Sequence, residues 1–389
     1  MTRRACALAT LVLALAPRFV HAADATSAPL AAAADTLGAP APPPVATPPS
    51  GPDFPRGRIS GYVFGDLYWN AVGDPRHAYA VSTGADSGKA YIDASGKPIT
   101  RDLNGVQIRR IYFQLDNDLS IKYATRLRFE ADSKELTSGG KITIFVKNAY
   151  LQAKSVWPRG DVYVGMQTTP TWENAEEFWA YRAIEKTIGD FLGLAPASDL
   201  GLETKGFVDG AHHVGYAAMV GDGTGQKPET NRDKRLYFAL PLRAGTLRVE
   251  PYADYENGPE STDKATYKVF AGYEPPHSAV GVEAYDRVSH APGGNAELRA
   301  WSVFARWSAS PTLGAFARVD GWDPNRRIAS RLKEQLWIAG LDWQPVKDVH
   351  VMPNVEATQY DAAGSFVAPA HHDLQARVTF YYKFAKPQS

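Results

Sequence analysis

From Gly57 onward, apolar and polar residues alternate in segments of about ten residues, and the alternation restarts through the whole chain. The stretch LQARVTFYYKF, Leu374 to Phe384, shows the pattern. Leu374, Ala376, Val378, Phe380, Tyr382 and Phe384 are apolar or aromatic, and Gln375, Arg377, Thr379, Tyr381 and Lys383 are polar or amphipathic. Neighbouring side chains on a strand point to opposite faces, so each segment has one greasy and one wet surrounding. Sixteen strands are predicted, at roughly 58–70, 106–117, 121–132, 143–154, 160–168, 199–208, 212–220, 234–243, 247–256, 265–274, 279–288, 297–308, 313–321, 334–343, 349–359 and 373–384.

A strand lying on a soluble core alternates in the same way. The connections separate the two cases. Short ones, such as Asn117–Ser120, Arg243–Thr246 and Pro345–Asp348, take turns with long ones at about 71–105, 133–142, 169–198, 221–233, 257–264, 289–296, 322–333 and 360–372. Transmembrane β-barrels combine short turns at one end with longer loops at the other, whereas a sandwich has no reason to keep that rhythm. The expected fold is therefore all-β, a transmembrane antiparallel 16-stranded barrel over residues 57–384. Its last strand would put Tyr381, Tyr382 and Phe384 in an aromatic girdle at the membrane interface.

Composition narrows the class further. Arg3 and Arg4, the apolar run Ala7–Ala16 and Val20-His21-Ala22 read as a cleaved secretory signal over residues 1–22. Its removal takes away Cys6, the single cysteine, and so excludes disulfides and Cys-ligated metals. It also leaves 39 basic residues against 42 acidic ones, a net charge of −3. Nucleic-acid binders are clearly basic, so that class is excluded. No apolar run reaches the roughly 18 residues of a membrane-spanning helix. Residues 23–56 are rich in Pro and Ala and read as a flexible periplasmic linker, and residues 385–389 as a short overhang.

Sixteen strands make a barrel too wide for side chains alone to fill, so an aqueous lumen is expected. Arg110, Arg126, Arg128, Arg248, Arg306, Arg318 and Arg377 fall in the polar phase of their strands and are candidate lumen residues. Acidic residues share that phase in similar number. The lumen either holds a transverse field that orients solutes or is crossed by salt bridges that solvate it.

One connection differs from the rest. TPTWENAEEFWAYRAIEKTIGDFLG, after the fifth strand, has helical spacing at Phe178, Tyr181 or Arg182, Glu185 and Ile188, with Trp179, Ala183 and Phe191 adding apolar bulk. An amphipathic helix must bury its apolar side, and the inner wall is the nearest surface. Glu173, Glu176, Glu177, Arg182, Glu185 and Lys186 are the candidate constriction residues, and the local excess of acid would attract cations.

VGMQTTPTWENAEEF (Val164–Phe178) and SDLGLETKG (Ser198–Gly206) resemble the phosphate-selective porin O and P family of sixteen-stranded outer-membrane porins. The resemblance implies an outer-membrane homotrimer with a loop-constricted channel, whose partners are lipid and small polar or ionic solutes. The third loop departs from that pattern in being acidic, and five residues follow Phe384 where an aromatic usually ends the chain. A barrel closed by its loops and acting as receptor or adhesin is the alternative, with the first long loop as its best support.

Other chemistry is weak. His212-His213 and His371-His372 lack a third ligand, GDGTG at Gly221–Gly225 lacks the Lys-Ser/Thr of a phosphate loop, and Ser289-His290 is adjacent rather than arranged for catalysis. Neither an enzyme activity nor a cofactor is expected.

Overall fold

The computed structural model describes residues 54–73, 101–136, 141–259, 262–328, 332–362 and 371–387. The segments expected as signal and linker, but for residues 54–56, and most of the first long connection lie outside the described residues. The strands are β1 (Arg56–Val72), β2 (Asn104–Asp118), β3 (Tyr123–Leu136), β4 (Ile142–Trp157), β5 (Gly160–Thr168), β6 (Ser198–Phe207), β7 (Gly215–Gly221), β8 (Arg235–Ala239), β9 (Leu242–Ala244), β10 (Leu247–Glu256), β11 (Lys264–Tyr273), β12 (Ser278–Ser289), β13 (Ala296–Ser310), β14 (Leu313–Asp323), β15 (Leu332–Val346), β16 (Val349–Ala362) and β17 (His371–Pro387). Two short helices, α1 (Glu173–Trp179) and α2 (Ile188–Phe191), lie between β5 and β6.

The sheet closes on itself, because β1 pairs with β2 on one side and with β17 on the other. β8 and β9 pair in succession with β10, and Leu240-Pro241 lies between them. Proline has no N–H to give to the ladder, so one stave is split into two halves. The result is a closed antiparallel 16-stranded barrel. Among the described residues, no helix is long and apolar enough to cross a membrane.

Burial runs opposite to that of a soluble sandwich. Leu202, Val269 and Val303 face outward and stand about half exposed, while Glu203, Lys268 and Ser302, each beside one of them in sequence, are buried inside. Apolar side chains outside and charged ones inside are what a lipid-facing barrel requires.

Two expectations change in detail. Tyr382 and Phe384 face outward, but Tyr381 points inward, packing on Tyr62 at 5.8 Å and His350 at 5.4 Å between ring centroids. The period of two puts Tyr381 on the face opposite its neighbour, so it cannot share their girdle. β17 also continues past Phe384, with Ala385 and Lys386 opposite Ser60 and Ile59 of β1.

Two of the bulges bear on the lumen. Phe64 pairs with Arg110 and Gly65 with Ile108, which leaves Arg109 as an extra residue in β2. Arg128 pairs with Asn148 and Phe129 with Val146, which leaves Lys147 as an extra residue in β4. A bulge breaks the strict alternation and re-aims a side chain. Both extra residues carry charge, and both serve the lumen.

Candidate functional site in the lumen

The connection from Thr169 to Ala197 folds into the barrel and lies against the inner faces of β11 to β15. Its seat is aromatic. The Phe178 ring stands 5.4 Å from Phe270, Trp179 stands 5.3 Å from Phe304, and Tyr181 stands 4.3 Å from Phe316. Phe178, Trp179, Ile184 and Ile188 are buried by this packing.

The sequence predicts helical spacing through Ile188, but α1 stops at Trp179. Ala180 adopts a left-handed φ of 62° and closes the helix. Carbonyls before, within and after this helix accept from cations of the wall. Lys268 donates to Thr171 O at 2.6 Å, Arg306 to Phe178 O at 3.1 Å, Arg109 to Ile184 O at 2.9 Å and Arg235 to Leu194 O at 2.7 Å, and Arg318 donates to Lys186 O. Buried carbonyls must find donors, and here the wall supplies them in place of a continuing helix.

The other side of this loop faces a cavity of about 1020 Å³, bounded in part by β3 to β6. Glu173, Glu176, Glu177, Arg182 and Asp190 line it from the loop, and Arg126, Arg128, Lys147 and Lys205 line it from the wall. Loop acids thus stand opposite wall cations. Some of these charges are joined: Glu173 to Lys205 at 3.0 Å, Glu176 to Arg182 at 3.0 Å, Glu177 to Arg248 at 3.2 Å and Arg182 to Asp190 at 3.4 Å. Burial pushes the Glu176 carboxyl above its ordinary range despite Arg182.

The remaining candidates lie elsewhere. Glu185 turns toward the wall, with Arg109 at 3.9 Å. Burial opposes its charge, but Arg109 and Arg377 overcome that and hold it below the usual carboxylate range. Lys186 pairs with Asp190 at 3.3 Å. Of the lumen candidates, Arg126 pairs with Asp116 at 2.6 Å, and Arg110 with Glu130 at 2.8 Å and with Asp132. Arg248 joins Glu177 to Glu274. Arg306 and Arg318 are clamps for the loop, and Arg318 is also held by Asp320. Arg377 is buried beside the closing seam against Glu356 and Asn354.

Several lumen residues escape the sequence pattern. Arg109 and Lys147 are bulge residues, out of phase with their strands. Tyr62, Tyr112 and Tyr163 line the cavity, although aromatics read as lipid-facing in an alternating pattern. Among the described residues no group of three metal-ligating side chains occurs. His212 stacks on Phe207 at 4.2 Å, and His290 lies 3.0 Å from Asp263.

No family model matches the chain, and no curated protein is similar to it in sequence. Solved structures are similar in fold. The outer membrane channel DcaP of Acinetobacter baumannii superposes with a TM-score of 0.61 at 13% identity, over 84% of this chain and 97% of that one. An anion-selective porin from Comamonas acidovorans gives 0.60 at 12%, over 84% and 99%. OmpF of Salmonella typhi, in complex with daunomycin, gives 0.56 at 11%, over 84% and 97%. The chain has the porin fold. At such identities the likeness concerns the barrel. Within this fold the third loop rests on its aromatic seat and is clamped by five wall cations.

Proposed function

We propose that the protein is an outer-membrane porin, a water-filled channel through which small polar or charged solutes diffuse. It carries out no reaction. Selection rests on the third loop and on the charged lumen wall, with Glu173, Glu176, Glu177 and Arg182 on the solute path. One observation carries this reading: an apolar-outside barrel whose third loop is fixed to one inner wall leaves a cavity of about 1020 Å³ beside it, lined by charges of both signs. A loop-closed receptor has no use for such a lining.

Two finer points belong to the same reading. The anion selectivity of the Comamonas porin agrees with a wall rich in arginine, but Arg306, Arg318 and Arg377 are consumed by structure here, which argues against a phosphate-selective ladder. A homotrimer fits the outer surface. Tyr267, Tyr273, Trp301, Trp307, Trp337 and Trp343 stand exposed on β11 to β15, whereas β4 to β7 expose mainly aliphatic side chains such as Ile144, Leu151, Val164, Leu202 and Val220. Aromatic belts mark lipid-facing interfaces, so the aliphatic side suits contact with neighbouring copies.

Liposome swelling tests the channel. Proteoliposomes are expected to swell in small sugars and amino acids, with rates falling as solute size grows. Liposomes with the folded barrel that swell no faster than empty ones would overturn the proposal.

A further inference from the structure

Charge accounting along one strand singles out one residue. On the inner row of β3, Arg126 is held by Asp116 at 2.6 Å, and Glu130 is held by Arg110 at 2.8 Å and Lys147 at 3.1 Å. Arg128 lies between them and makes no ion pair among the described residues. It rests on aromatic rings instead. Its guanidinium carbon stands 4.9 Å from the Tyr112 centroid and 5.6 Å from that of Tyr62, with Nη2 3.4 Å from the Tyr62 hydroxyl. Its Nε is buried without a hydrogen-bond partner. The two tyrosines pack on each other, 4.3 Å apart between centroids and tilted by 32°.

Position matters as much as pairing. Tyr62, Tyr112 and Arg128 line the main cavity and also a second one of about 390 Å³ at the short-turn end. The three residues form a sill shared by the two cavities. The second chamber adds Arg58, Lys347 and Lys383 against Asp348, so the sill is approached from a basic side.

We propose that this sill is a binding site for small organic anions bearing a planar carboxylate. Aromatic contact holds a guanidinium in place without cancelling its charge. Its fork-shaped edge matches a carboxylate with two parallel hydrogen bonds. The ring of an aromatic acid would add to the cluster of tilted rings that already runs from Tyr112 through Tyr62 to Tyr381, the last step spanning 5.8 Å. Chloride gains only the charge, and acetate only the charge and the fork. Benzoate gains the ring contact as well.

The proposal rests on the channel reading insofar as current reports occupancy. Single channels are recorded in potassium chloride, with potassium benzoate or potassium acetate added. Benzoate is expected to interrupt the current at concentrations about tenfold below those of acetate, the scale of one added aromatic contact. Arg128→Gln should lose the benzoate effect. Arg128→Lys, which keeps the charge without the fork, should weaken benzoate and acetate alike. Equal action of benzoate and acetate on the wild type, or a benzoate effect that survives Arg128→Gln, overturns the site while leaving the channel intact. A wild type without steps overturns the channel instead. Calorimetric titration of benzoate into the folded protein in detergent then decides the site, with heat of binding expected for the wild type and its absence contradicting the proposal. If Arg128→Gln does not fold, Tyr112→Leu, which leaves the charge in place, is expected to remove the benzoate preference, and its persistence would overturn the site.

Discussion

An arginine in this lumen takes its role from what it touches. Arg318 is clasped by Asp320 and aimed at Lys186 O, while Arg182, shared between Glu176 and Asp190, lines the cavity. Glu176 decides how much of the Arg182 charge is felt. Its carboxyl binds a proton more readily in the folded loop than in an unfolded chain, because burial disfavours the anion. Acidification therefore protonates Glu176 above the ordinary range of about 4.3 and favours its folded position, since the folded state is the better proton binder. It also leaves Arg182 less compensated. The reversal potential in a potassium chloride gradient is expected to move toward anion preference as pH falls from 7 to 5. Glu176→Gln should show much of that shift at pH 7 already, and an unchanged reversal potential in that variant would contradict the role. The alternation made Arg126, Arg128 and Arg318 legible as inward residues. It could not reveal Arg109 or Lys147, because each is the extra residue of a bulge and a bulge leaves no mark in a period-two pattern.

Elements show the same division between pattern and packing. The third loop was legible as an inward-folded segment from Phe178, Trp179 and Ile188, which need an apolar seat. Its backbone path was not, because it follows donors on distant strands: Lys268, Arg306, Arg109, Arg318 and Arg235. Arg318→Met should cost about 3–5 kcal/mol by leaving Asp320 buried and unpaired. The expected signs are a lower temperature for loss of heat-modifiable gel mobility and noisier open channels, and wild-type behaviour in both would show that the clamp is idle. The two stretches that resemble porin O and P meet in space, as Gly165 of β5 pairs with Gly201 of β6. Gly165 has φ 125°, and a Cβ there would sit 2.3 Å from Ala149 O. Gly165→Ala should destabilise the barrel by about 1–3 kcal/mol, read as a lower unfolding midpoint. Asp199, in the second stretch, accepts from Gly223 N at 2.8 Å and Gly225 N at 3.1 Å and so fixes the GDGTG loop. Those residues organise a wall and a loop, and their chemistry says little about a solute.

At the scale of the molecule, the alternation and the rhythm of turns specify a closed sixteen-stave wall, because only lipid outside and water inside require both together. What such a pattern leaves open is where the lumen narrows, since that depends on which inner charges neutralise one another across strands. Here Lys268, Arg306, Arg318, Arg109 and Arg235 go into holding the third loop, and the open cavity lies along β3 to β6, where the proposed solute path runs. The most direct test is single-channel recording of the purified, folded protein in a planar bilayer. Discrete, long-lived open steps are expected, since the loop is anchored rather than hinged. A correctly folded barrel that inserts and passes no current would mean that the lumen is plugged, and would contradict the account.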